Sequence, residues 1–185
     1  ISAHKIYGPK GIGAIYIRRG TRIDSFIQGG SQESNRRAGT ENVPLAAGFA
    51  KAVEIVNEER SGLTSHYEQL RDTLKNRLSS EFEGIVFNGH PQYSLPQIVN
   101  VSFDSKKSRM DGDALIMGLD LRGVAVTSGS ACSSGSMQSS HVLKAMGRDG
   151  ETAKATIRFS TGKHTTEDEI HYAVDALHEV VGTMK

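Results

Sequence analysis

The chain has 185 residues, enough for one compact domain with a real core, or one domain and a further segment. Lys and Arg number 22 against 21 for Asp and Glu, so no net field draws nucleic acid or an anionic membrane. No apolar run approaches the roughly 20 residues a membrane helix needs, and a single cysteine excludes an internal disulfide. A reducing, cytoplasmic setting is the expectation. The sequence opens on Ile1-Ser2-Ala3-His4-Lys5 without a starting Met, a signal peptide or a lipidation motif, as if cut from a longer protein.

In chain order, the opening segment reads as a loop and Gly8-Pro9-Lys10-Gly11 as a turn, followed by a short buried strand from Ile12 to Ile17. Arg19 to Asn42 lacks periodicity and is rich in Gly, Ser, Gln, Asn and Arg, which predicts an extended loop. Val43 to Glu59 reads as a helix with Pro44 in its first turn. After Ser61-Gly62 a second helix is expected over Leu63 to Phe82, with Leu63, Tyr67, Leu70, Leu74 and Leu78 on one stripe. Ile85 to Phe87 and Ile98 to Phe103 read as strands, Asp111 to Leu121 as a helix and Val124 to Val126 as a short strand. Ser128 to Ser140 is a loop of small polar residues. His141 to Met146 suits a short helix, Thr156 to Ser160 a strand, and Thr166 to Val181 a helix with acids in its first turn. His164, His171 and His178 recur at intervals of seven and read as a surface face. The fold class is α/β.

Four segments carry possible chemistry. Ser2-Ala3-His4-Lys5, followed by GPKGIG, is either a plain turn feeding a strand or a Schiff-base lysine with Ser and His placed to hydrogen-bond a phosphate. Lys10, between Pro and Gly, is the structural lysine of the pair. The run from Gly29 to Thr40 is either a solvated basic loop or an anion clamp, in which Arg37, Gly39 and Thr40 stand just before a helix N-terminus. Spacing leaves both open. Cys132 lies among small polar residues in SGSACSSGS. A structural cysteine belongs in an apolar segment, so this one reads as a working thiol. Arg158, in the apolar strand TIRFS, is either its solvent-side residue or a planar fork for a carboxylate.

Taken together, SAHKIYGPKGIGA, GGSQESNRRAGT, NVSF, SGSACSSGS and TIRFSTGKHTTEDEI resemble the cysteine desulfurases of the class I, NifS/IscS type, from end to end of the chain. The class II branch carries its cysteine in a shorter loop of different composition. Ser94 and Gln97 are minor departures. A larger one is that the family's N-terminal half, with the residue stacked on the pyridine ring and the acid paired with its nitrogen, has no counterpart in this sequence.

The resemblance implies the C-terminal part of a fold type I PLP-dependent transferase. Residues 1–60 would end the large domain, and residues 61–185 would form the small α/β domain. It implies pyridoxal 5'-phosphate on Lys5, phosphate contacts from Ser2 and His4, and a phosphate contact from Thr40 across a homodimer interface. Cys132 would be the sulfur acceptor and Arg158 the substrate carboxylate anchor. The activity implied is conversion of L-cysteine to L-alanine with a persulfide on Cys132. The sulfur would go to an iron–sulfur scaffold or another acceptor such as a tRNA thiolation protein, without direct contact to nucleic acid or membrane. No resident metal is expected, although Cys132 could transiently ligate a cluster on a partner. The alternatives are a related PLP lyase acting on selenocysteine or cysteine sulfinate, and a non-catalytic fragment of the small domain. A cysteine hydrolase is a weaker one, because no His or Asp is recognisably placed to serve Cys132.

Overall fold

The computed structural model describes residues 1–128 and 140–184. Cys132 lies outside the described residues, as does most of the polar loop around it. The chain divides into two compact units, Ile1–Ser61 and Gly62–Lys185. Among the described residues no helix is long and apolar enough to cross a membrane.

The first unit begins with a 3-10 turn, Ala3–Ile6. It continues through a long irregular segment that contains a single turn, α1 (Gln32–Asn35). Helix α2, Val43–Glu81, then starts at Asn42, whose Oδ1 accepts from the Leu45 N–H at 3.1 Å. The expected strand over Ile12 to Ile17 is not formed. Only Gly13 bridges to Ser2, and Ile15 and Tyr16 are 76% and 89% exposed. Apolar residues make a buried strand only if other strands complete the ladder and cover both faces, and among the described residues none does.

The expected break at Ser61-Gly62 is also absent, because α2 runs through it. A glycine inside a helix costs about 1 kcal/mol relative to Ala. That is too little to end a helix whose later turns are held in the core by Leu70, Leu74 and Leu78, and Gly62 keeps an ordinary negative φ.

The second unit is built on a four-stranded antiparallel sheet of β1 (Ile85–Asn88), β2 (Ile98–Phe103), β3 (Thr127–Ser128) and β4 (Thr156–Ser160), in the order β1-β2-β4-β3. Strands β2 and β4 keep the bounds read from sequence. β3 is displaced from the expected Val124 to Val126. Those valines pack on the core without ladder bonds, and pairing begins only where Thr127 and Ser128 meet Arg158 and Ile157.

Alternation makes the sheet two-faced. Val99 opposite Phe159 and Val101 opposite Ile157 share the apolar face. They join a core with Leu70, Leu74, Leu78 and Phe82 of α2, Leu115 and Leu119 of α3 (Gly112–Asp120), and Val174 and Leu177 of α6 (Glu167–Thr183). α3 and α6 approach closely at Gly118, where a Cβ would come within 2.7 Å of Val180. α6 is opened by a complete capping box between Thr166 and Glu169.

The other face is polar: Asn100 pairs with Arg158, Ser102 with Thr156, and Asn88 with Asn100. Asn88 Nδ2 donates to Asn100 Oδ1 and Ser102 Oγ, both at 2.7 Å, and the Ser102 and Thr156 hydroxyls meet at 2.6 Å. Two short helices follow the undescribed segment, α4 (His141–Ala145) and α5 (Gly150–Lys154). Between them Arg148 Nε donates to Asn88 Oδ1 at 2.7 Å. Thr156 Oγ1 donates to the Thr152 carbonyl at 3.1 Å, tying α5 to the sheet. Asp149, the N-cap of α5, accepts from the Glu151 and Thr152 N–H groups and from the Thr152 and Ser105 hydroxyls. Bonding to Thr152 above all, then to Ser105 and Glu151, lowers its carboxyl from 3.8 to about 2.

The histidine face expected on α6 is not purely solvent-facing. His171 is half-buried, its Nδ1 3.2 Å from Arg77 Nη1, and the His178 ring lies 5.9 Å from Phe82.

Candidate functional site

Ser2, His4 and Lys5 share the turn that opens the chain, and its backbone is held from several directions. Ala3 N–H donates to Ile12 O at 3.0 Å, Lys5 N–H to Ser2 O at 3.1 Å, and Gly8 N–H to Ala3 O at 2.9 Å. Tyr7, at φ 62°, closes the turn in the left-handed region. Ala3 is fully buried, so the turn is anchored through its smallest side chain while His4 and Lys5 stand exposed.

The sequence GPKG acquires a reason here. A Cβ on Gly8 would sit 3.0 Å from Ala3 O and 3.1 Å from Ala52 Cβ, and one on Gly48 would sit 3.2 Å from Pro9. Gly48 and Ala52, one turn apart on α2, form a shallow face that receives Gly8 and Pro9. Among the described residues the Lys5 amine has no hydrogen-bond or ion-pair partner. A free primary amine with a hydroxyl and an imidazole on the same turn is a donor set that fits a phosphorylated aldehyde.

Thr40 stands exposed in the loop leading into α2. Its neighbours are committed to the loop: Gly39 N–H donates to Gln32 Oε1 and Arg37 Nη1 donates to Gly39 O, both at 3.2 Å. Gly39, at φ 105°, adopts a conformation other residues rarely take. Of the proposed anion clamp, the Gly39 N–H is committed, whereas the Thr40 hydroxyl and the rest of the Arg37 guanidinium are not.

Arg158 belongs to the second unit, at the centre of the polar sheet face. Its Nε is buried without a hydrogen-bond partner, and so is the Oγ1 of Thr127 opposite it. Reading the sequence missed Thr127, whose signal was slight: one hydroxyl beside an apolar triplet. It also missed Arg148, Asp149 and α5, although Asp149-Gly150-Glu151-Thr152 has the form of a helix cap. Among the described residues no group of three or more His, Cys, Asp or Glu side chains could hold a metal ion.

A family model described as aminotransferase class-V matches residues 1–173. A protein named cysteine desulfurase IscS from Dictyoglomus turgidum is 42% identical over 185 residues, which is all of this chain and 46% of that protein. One named cysteine desulfurase, mitochondrial, from Candida maltosa is 44% identical over 189 residues, again all of this chain but 38% of that protein. A solved structure titled NIFS-like protein superposes with a TM-score of 0.82 at 37% identity, over 98% of this chain and 45% of that one. The chain thus spans less than half the length of these relatives.

Proposed function

Because the chain belongs to the aminotransferase class-V family, we propose that it is the C-terminal part of a PLP-dependent cysteine desulfurase of the class I, NifS/IscS type. Residues 1–60 would complete the large cofactor-binding domain and residues 61–185 would form the small domain. The observation that carries the reading is the Lys5 amine, exposed and unpaired among the described residues, on a turn whose backbone is held at Ala3, Lys5 and Gly8. The names of the relatives support the choice of substrate.

Bound PLP would supply the electron sink that makes the α-proton of an amino acid labile. Lys5 would hold the cofactor and then, released by the substrate amine, take the α-proton as general base. Ser2 and His4 would contact the phosphate, and Thr40 the phosphate held by the other subunit of a homodimer. Arg158 would orient L-cysteine through its carboxylate. Cys132, as thiolate, would attack the substrate sulfur. The carbon–sulfur bond breaks, the sulfur stays on Cys132 as a persulfide, and the three-carbon remainder takes up protons and leaves as L-alanine.

Unit 1 exposes Ile15, Tyr16, Ile23, Phe26 and Ile27, with Phe26 98% exposed. Such an apolar set supports cover by the rest of a longer chain and a second subunit. The sulfur would pass to an iron–sulfur scaffold or another acceptor protein, with neither nucleic acid nor membrane involved directly. The setting would be cytoplasmic, a compartment that keeps the thiol reduced.

The test is to supply L-cysteine to the PLP-loaded full-length protein and to measure alanine together with the mass of the Cys132 peptide. One alanine per added sulfur is expected. Alanine formation from selenocysteine or cysteine sulfinate alone would move the protein to a related lyase.

A further inference from the structure

Three side-chain polar atoms among the described residues are buried without a hydrogen-bond partner: His66 Nε2, Thr127 Oγ1 and Arg158 Nε. The last two belong together. Thr127 on β3 lies directly opposite Arg158 on β4. Opposite residues of an antiparallel pair point to the same face, with Cβ atoms about 4.5–5.5 Å apart. That face is the polar one, continued beyond Arg158 by Asn100 on β2. The nearby groups on it, Asn88, Ser102 and Thr156, are all hydrogen-bonded. Thr127 and Arg158 are therefore a local exception within a satisfied layer.

A threonine selected only for strand propensity would serve as well as valine, which fills the same volume and leaves no buried hydroxyl without a partner. The hydroxyl does not relieve its neighbour either, since it accepts nothing from Arg158 Nε. An N–H that can only donate and an O–H free to donate, side by side, are both satisfied by an acceptor with two oxygens. The positive guanidinium selects an anionic one. A carboxylate meets both conditions.

Building on the reading of Arg158 as carboxylate anchor, we propose that Thr127 is a second binding residue for the substrate carboxylate. It donates Oγ1–H to the carboxylate while Arg158 grips it from the adjacent strand. The two strands then hold the anion as a pair.

The experiment titrates the PLP-loaded full-length protein with L-alanine and with L-alaninamide, in which the carboxylate is replaced by a neutral amide. Binding is followed by the cofactor absorbance. Thr127→Val is expected to weaken L-alanine about tenfold, to leave L-alaninamide within twofold, and to keep the cofactor content of the wild type. Thr127→Ser restores L-alanine binding. Equal loss for both ligands, or no loss for L-alanine, overturns the proposal. Arg158→Ala is run in parallel. If it weakens L-alanine selectively and Thr127→Val does not, the reading of Arg158 stands and that of Thr127 falls. If wild-type protein binds L-alanine but forms none from L-cysteine, the desulfurase reading falls while the comparison of the two ligands still decides Thr127. If it binds no amino acid, both fall.

Discussion

Arg77 of α2 reaches α6 and donates through Nη1 to the carbonyl oxygen of His171 at 2.9 Å. The same guanidinium bonds to Asp175 Oδ1 at 2.7 Å and, within its own helix, to Glu81. Its side chain is only 24% exposed, so this is not the ordinary surface ion pair that solvent screens to little. Arg77→Ala should lower stability by about 1–2 kcal/mol, and Arg77→Lys should recover only part, because an ammonium cannot serve three directions in one plane. Thermal melts of the three proteins check this, with Lys51→Ala, whose pair with Glu54 is exposed, as the near-neutral control.

Ser102 and Thr156 are both fully buried and hydrogen-bonded to each other. Thr156→Val leaves the buried Ser102 O–H without its acceptor and removes the hydroxyl that donates to the Thr152 carbonyl, which should cost about 1–3 kcal/mol. The double variant Ser102→Ala/Thr156→Val should be less destabilised than the sum of the single ones. Denaturant titration of the four proteins gives the coupling, and strict additivity would rule out the pairing.

Asp149 predicts an acid transition. Its folded carboxyl titrates near 2, below the ordinary 3.8, so the stability it contributes is complete above about pH 4. That stability is lost as pH falls through 2. Asp149→Asn keeps one acceptor oxygen but not the charge. It should be less stable at pH 7 and should show a flatter dependence of Tm on pH between 4 and 2. Parallel curves for the two proteins would contradict the assignment.

The parts of this fold legible in the sequence were those whose period is enforced by burial. β2 and β4 alternate because one face meets the core, and Leu70, Leu74 and Leu78 recur because one stripe of α2 covers it. What misled was local chemistry without its tertiary setting. Ser61-Gly62 has the form of a helix end, yet nothing there supplies the left-handed residue or proline that ends one. Ile12 to Ile17 has the composition of a buried strand, but partners decide whether a strand exists. Among the proposed site residues, Lys5 and Arg158 draw attention by residue type alone. Thr127 became visible only as an unpaired hydroxyl, which no sequence displays.

Gly8 links the turn that carries Lys5 to α2. With Ala52 Cβ 3.1 Å and Ala3 O 3.0 Å from the position of a Cβ, Gly8→Ala must shift the turn by a few tenths of an ångström. In the full-length protein it should reduce PLP content more than Lys10→Ala, which changes no buried contact. Cofactor absorbance after dialysis measures both. Equal retention would show that the position of the turn is not critical.

If Cys132 is the sulfur acceptor proposed above, Cys132→Ser in the full-length protein should abolish persulfide formation while leaving PLP content and the spectral response to L-cysteine intact, because in that scheme the thiol acts after both. A coincident loss of cofactor would make Cys132 structural. Mass spectrometry of the peptide alongside absorbance separates the two results.

The row of groups on the polar sheet face has only one consistent arrangement of its protons. Arg148 Nε–H fixes the oxygen of the Asn88 carboxamide, so the Asn88 nitrogen must face Asn100 and Ser102. Ser102 Oγ receives one of its hydrogens. Thr156 spends its own hydrogen on the Thr152 carbonyl, so the shared bond between the two hydroxyls can only run from Ser102 to Thr156. Every O–H in the row thus points the same way, from β1 towards α5, like water in an ordered ice chain. Two groups outside the sheet fix that direction from its ends. The Arg148 guanidinium holds the Asn88 oxygen, and the Thr152 carbonyl takes the Thr156 hydrogen, so the polarity of a row of neutral groups is set where it leaves the strands.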